Sequence, residues 1–139
     1  VPTAMRIHPF TSIEYDAVHQ SVVLEARLEL LDRVGDMTKG VGEFRFELYR
    51  VQARASSIPV QDELLYVWNV EMTTLEQNQQ YYDPITRTYA FRLRMDRVPA
   101  PGTAVKLYGQ FTDPGERRLE ATANLTITAA DANEADAPK

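Results

Sequence analysis

Two histidines, two adjacent serines and a run of amides and phenols are the residues of this chain whose types could do chemistry. His8 and His19 could share a zinc ion or act as acid and base. They stand in separate segments with no carboxylate at a ligand spacing, and so read as surface or edge histidines. Ser56 and Ser57 lack the glycines of a nucleophile elbow and fall in a loop. Asp32 and Asp36 flank Gly35, yet the alternating oxygen ligands of a calcium loop are missing and Arg33 and Lys39 add opposing charge. No cofactor motif and no metal site is expected. Cysteine is absent, which excludes disulfides and thiol catalysis. Asn124, Leu125 and Thr126 form a glycosylation sequon, of use only in a eukaryotic secretory pathway.

Residues 77–83, Gln-Asn-Gln-Gln-Tyr-Tyr-Asp, are the one stretch suggestive of binding. Gln77, Gln80, Tyr81, Tyr82 and Asp83 offer stacking faces and paired donors and acceptors that suit a sugar or a protein partner. In the competing reading Tyr81 and Tyr82 cover the end of a core from a short helix, and Asp83 forms the turn before Pro84.

These residues must be held by strands, because apolar and polar residues alternate with period two along most of the chain. Leu64, Tyr66, Trp68, Val70 and Met72 form one such run, and Tyr89, Phe91, Leu93 and Met95 another. Each has one face for a core and one for water. Met5 and Ile7 predict a short edge strand ended by Pro9, and Val22 through Leu30 a long one. Phe44, Phe46 and Leu48 predict a third strand, and Leu119 through Ile127 a last one. Val105, Leu107 and Phe111 give another, in which Gly109 predicts a bulge or a close approach of another backbone. Thr74 and Gln77 match a capping box and predict a helix to Tyr81. The outward Glu25, Glu29, Glu43 and Glu47 are expected to face Arg27, Arg45, Arg92 and Arg94 across neighbouring strands.

About seven antiparallel strands with turn chemistry between them imply an all-β, two-sheet sandwich of prealbumin-like or immunoglobulin-like type, with one short helix near residues 74–81. Inward Phe44, Phe46, Tyr66, Trp68, Phe91 and Phe111 would fill its core. The 139 residues, 44% hydrophobic and 25% charged, suit one sandwich domain over 1–128. A flexible acidic tail over 129–139 has no large apolar residue to bury, and 53–62 reads as a connection or a disordered excursion. With 20 acidic and 15 basic residues, a net charge of −5 and no block of Lys or Arg, nucleic acid is excluded as a partner. No apolar run is long enough to span a membrane.

The pieces Asp83-Pro84, Tyr89-Ala90-Phe91-Arg92-Leu93 and Pro101-Gly102 before Val105 resemble small extracellular modules of the transthyretin-like or carboxypeptidase-regulatory type. The Asp-Gly turn usual before the Tyr-x-Phe segment is missing. The chain as a whole also resembles uncharacterised secreted or lipoprotein-type proteins of bacterial envelopes. The expectation is a non-enzymatic interaction or structural accessory module, secreted or in the cell envelope, with a lipid anchor upstream of Val1 and an unidentified protein or glycan as partner. A carbohydrate- or small-ligand-binding module is the alternative.

Overall fold

The structure is a computed structural model and describes residues 1–9, 11–52 and 62–128. The expected tail at 129–139 and, apart from Asp62, the expected connection at 53–62 lie outside the described residues. Among those described, the strands are β1 (Ala4–Ile7), β2 (Ser12–Asp16), β3 (Ser21–Leu31), β4 (Met37–Thr38), β5 (Gly42–Arg50), β6 (Glu63–Met72), β7 (Tyr82–Asp83), β8 (Thr88–Met95), β9 (Ala104–Thr112) and β10 (Arg118–Thr126), with one helix, α1 (Leu75–Tyr81). All pairings are antiparallel and form two sheets. One runs β1-β3-β8-β7, with β2 and β4 also on β3, and the other runs β10-β9-β5-β6. No helix among the described residues is long and apolar enough to cross a membrane.

The period-two faces meet as the sequence requires. Val22, Leu24, Ala26, Leu28 and Leu30 of β3 and Tyr89, Phe91, Leu93 and Met95 of β8 are buried against Phe44, Phe46, Leu48, Leu107 and Phe111 of the other sheet. Phe44 sits among the rings of Phe91 at 4.7 Å, Phe111 at 4.8 Å and Phe46 at 6.0 Å between centroids. Trp68 and Tyr66, on the outermost strand β6, are only partly buried and have a second task. Where β8 continues past β7 its edge has no partner strand among the described residues. The Trp68 indole donates to the Arg94 carbonyl at 2.9 Å, and the Tyr66 hydroxyl donates to the Arg97 carbonyl at 2.9 Å and accepts from the Arg97 amide at 2.8 Å. These bonds cover backbone groups that would otherwise template another chain.

The sequence missed β2, β4 and β7. Two-residue ladders carry no period, and β2 puts only Ile13 and Tyr15 on the inner face. With β1 it forms one long edge along β3, interrupted at Pro9. The expectation at Gly109 is corrected: β9 pairs regularly on both sides, and a Cβ there would meet side-chain atoms of Phe46 and Met5 at 3.5–3.6 Å rather than a backbone. The register shift falls between Leu48 and Tyr49, where Leu65 of β6 is left without a Cα partner.

The expected cross-strand charge pairing holds in part: Glu25 of β3 stands directly opposite Arg92 of β8 and helps to raise its pKa, although its closest ion pair is with Arg27. For Glu47 it is corrected, since that carboxylate pairs with Arg45, two residues along its own strand. Other contacts across strands join Arg6 with Glu29, Arg92 with Glu14, Arg94 with Asp16 and Arg27 with Asp83. Residues i and i+2 share a face, so long side chains on one strand reach each other as readily as a cross-strand neighbour. His19 and Arg94 hold the Asp16 carboxyl well below the usual carboxylate range, and hydrogen bonds from Tyr49 and Arg45 lower that of Glu47.

Burial and the Glu120 carboxylate push the Tyr108 phenol from 10.0 to about 12. Its folded-state pKa is thus raised, so its contribution to stability is intact below pH 10.0 and is lost as the pH rises towards about 12. Tyr89, raised mainly by burial, and Tyr49, raised by Glu47, act in the same direction. An alkaline titration followed by phenolate absorbance and circular dichroism is therefore expected to show some of the 7 tyrosines ionising only as the fold is lost. Full ionisation of all of them with the fold intact would contradict this.

Candidate functional site

The stretch 77–83 is held by the rest of the fold. Thr74 caps α1, its hydroxyl accepting from the Gln77 amide at 3.1 Å while the Gln77 side chain accepts from the Thr74 and Thr73 amides at 3.2 and 2.9 Å. This is the predicted capping box, and it occupies the Gln77 carbonyl. Asn78 is buried, donating to the Gly40 carbonyl at 2.6 Å and accepting from the Tyr89 hydroxyl at 3.1 Å. Tyr81 packs on Phe91 at 4.9 Å, and Tyr82 meets Tyr89 edge-on at 5.0 Å under the Lys39 ammonium. Asp83 accepts from the Ile85 amide at 3.0 Å, which lowers its pKa, and from Arg27 at 3.3 Å. Gln80 is exposed. The structure therefore brings these five residues to one corner, with Gln80 exposed, Tyr81 and Tyr82 partly so, and Gln77 and Asp83 engaged within the chain.

His8 and His19 face different carboxylates, His8 lying 3.5 Å from the buried Glu29 and His19 2.9 Å from Asp16. Asp32 accepts from the amides of Val34 and Asp36, as a turn former does. Among the described residues no three His, Cys, Asp or Glu converge on a point.

A different place carries unspent binding chemistry. At the end of the sandwich where β5 stops and β6 starts, an open cavity of about 440 Å³ is lined by Arg50, Leu65, Tyr66, Arg97, Val98, Pro99 and Ala100. Arg50 is directly opposite Val105, a fully buried residue of β9, so its stem extends along the inner face of the sheet. Its Nε is buried and has no hydrogen-bond partner. Glu63, directly opposite in the β6 ladder, forms no ion pair with it, and Asp62 is bound to Lys106. Leaving a buried donor unpaired costs about 1–3 kcal/mol, so native structures keep few of them. The Arg97 guanidinium, exposed at the rim, also makes no contact of this kind. By contrast Arg6, Arg27, Arg45, Arg92 and Arg94 are all ion-paired.

The walls of this cavity are fixed. The unpartnered Leu65 marks a bulge, a device that re-aims a side chain next to a site. Both Tyr66 bonds to Arg97 clamp the start of the β8–β9 loop, and Gly102, at φ +88°, donates to the Ile127 carbonyl at 2.8 Å to clamp its end. The sequence carried one signal for Arg50 that was not read: the inward series Phe44, Phe46, Leu48 continues to position 50, which places a cation in an apolar register. Set beside family models, curated proteins and solved structures, the chain matches none.

Proposed function

We propose that the chain is a non-enzymatic β-sandwich module that works by binding, with its contact region at the end formed by β5, β6 and the β8–β9 loop. The observation that carries this is the distribution of its arginines. On the outer face of the first sheet, Arg6, Arg27, Arg92 and Arg94 are occupied by Glu29, Glu25, Glu14 and Asp16 of the same chain. Such a face has little charge left for a partner. Of the arginines without a side-chain partner among the described residues, Arg33, Arg87, Arg117 and Arg118 are exposed, whereas the cavity end combines Arg50, whose Nε is buried, with Arg97 beside Leu65, Val98 and Pro99. Binding sites of this kind combine an apolar lining with a few placed polar groups, and loops on a rigid scaffold are where sandwiches carry them.

Site-specific photo-crosslinking in cells producing the protein from its own gene tests this reading. A photoreactive residue at Ala100 or Glu63 is expected to give an adduct detectable by intact mass, whereas one at Thr122 or Asn124, on the outer face of the second sheet, gives none. Adducts only from the face positions, or from no position, would reject it.

A further inference from the structure

We infer that the cavity takes a carboxylate with a compact apolar body, its oxygens held by Arg50 and Arg97 and its body resting on Leu65, Val98 and Pro99; this deepens, and rests on, the binding reading above. A guanidinium keeps its charge and offers only donors, and the described residues give the Arg50 guanidinium, which borders the cavity, no acceptor. A second guanidinium at the rim, on Arg97, makes the missing acceptor an anion, because two forked donors match the two oxygens of a carboxylate. The rim also selects against a dianion. Glu63 lies across the ladder from Arg50 and Asp96 precedes Arg97, both exposed, and the chain carries a net charge of −5. Those carboxylates add to the field against a second negative charge, and the cavity lining has no lysine to offset them. The wall from Arg97 to Gly102 is clamped through Tyr66 and Ile127 before any ligand arrives, which removes ordering cost from binding.

The test is an amide and arginine Nε correlation titration of the full chain with butyrate, butyramide and inorganic phosphate as probes. Butyrate is expected to shift the Arg50 Nε–Hε signal and the amides of Arg97, Val98 and Ala100 saturably. Butyramide, of the same shape without the charge, and phosphate are expected to bind about tenfold more weakly or worse. Arg50→Gln and, separately, the exposed Arg97→Gln should each raise the Kd for butyrate about tenfold. Arg33→Gln, at a cavity on another part of the surface, should leave it unchanged. A pair of short peptides ending in valine, one with a free and one with an amidated C-terminus, separates the two sources of the carboxylate: tighter binding of the free form than of butyrate assigns a protein C-terminus, and weaker binding assigns a small acid. Equal binding of butyrate and butyramide, or unchanged binding in Arg97→Gln, overturns the proposal, as does the absence of a saturable shift. Since crosslinking from Ala100 does not depend on carboxylate chemistry, that failure would leave the binding reading standing, whereas a failure of crosslinking would remove both.

Discussion

Phe44→Ala is expected to lower the stability of the fold by about 3–5 kcal/mol, the range for removing a large aromatic from a packed core. Phe44 is 1% exposed and is the ring through which both sheets meet, touching Phe46 and Phe111 of its own sheet and Tyr89 and Phe91 of the opposite one. Phe46, Phe111 and Tyr89 are held by ladders on both sides and Phe91 by its ladder with β3, so they cannot close in to fill the space. Domains of this size hold only about 5–15 kcal/mol in total, so the loss is a large part of the whole. Urea denaturation checks it through a fall in midpoint at unchanged slope. A loss under about 1 kcal/mol would mean that the rings do not pack as a unit.

Gly42→Ala is expected to cost about 3 kcal/mol, at the top of the usual range for overpacking. A Cβ at Gly42 would lie 2.3 Å from the Thr112 carbonyl oxygen and 2.7 Å from the Phe111 ring. The first of these is backbone in a paired strand and cannot swing aside. Gly109→Ala is the matched comparison, since its added methyl would meet the Phe46 ring and Met5 at 3.5–3.6 Å, an ordinary contact. Thermal or urea unfolding of both variants should separate them by about 2 kcal/mol or more. If they are equally destabilised, the close approach of β5 and β9 at Gly42 is not what requires glycine there.

The same contrast explains how much of the molecule was legible. Gly109 stood out in the sequence because it interrupted an apolar register, and it proved ordinary. Gly42 interrupted no such register and is the position where space is truly short. Crowding depends on Thr112 and Phe111, about 70 residues away along the chain. The capping box at Thr74 and Gln77 was readable because both partners lie within one turn. The ion pair of Glu47 was misassigned because period two fixes the face of a side chain and not its partner. The corner at 77–83 looked rich in free donors for the related reason that composition names groups without saying what already occupies them. There Gln77 is spent on a cap and Asp83 on a turn and Arg27.

The sequence by itself determined which residues are inside. Alternation is a property of the extended backbone, in which successive side chains must point to opposite faces, so Phe44, Phe46, Phe91 and Phe111 were assigned to a two-sheet core before any contact was known. Only the tertiary structure decided that Arg50, which continues the inward series of β5, finds no acceptor among the described residues, and that Tyr66 fixes a loop opposite it. Those facts arise from β5, β6 and the β8–β9 loop meeting at one end of the sandwich. Whether a buried donor is satisfied depends on every group that folding brings within about 3 Å of it, and no local pattern along the chain encodes that.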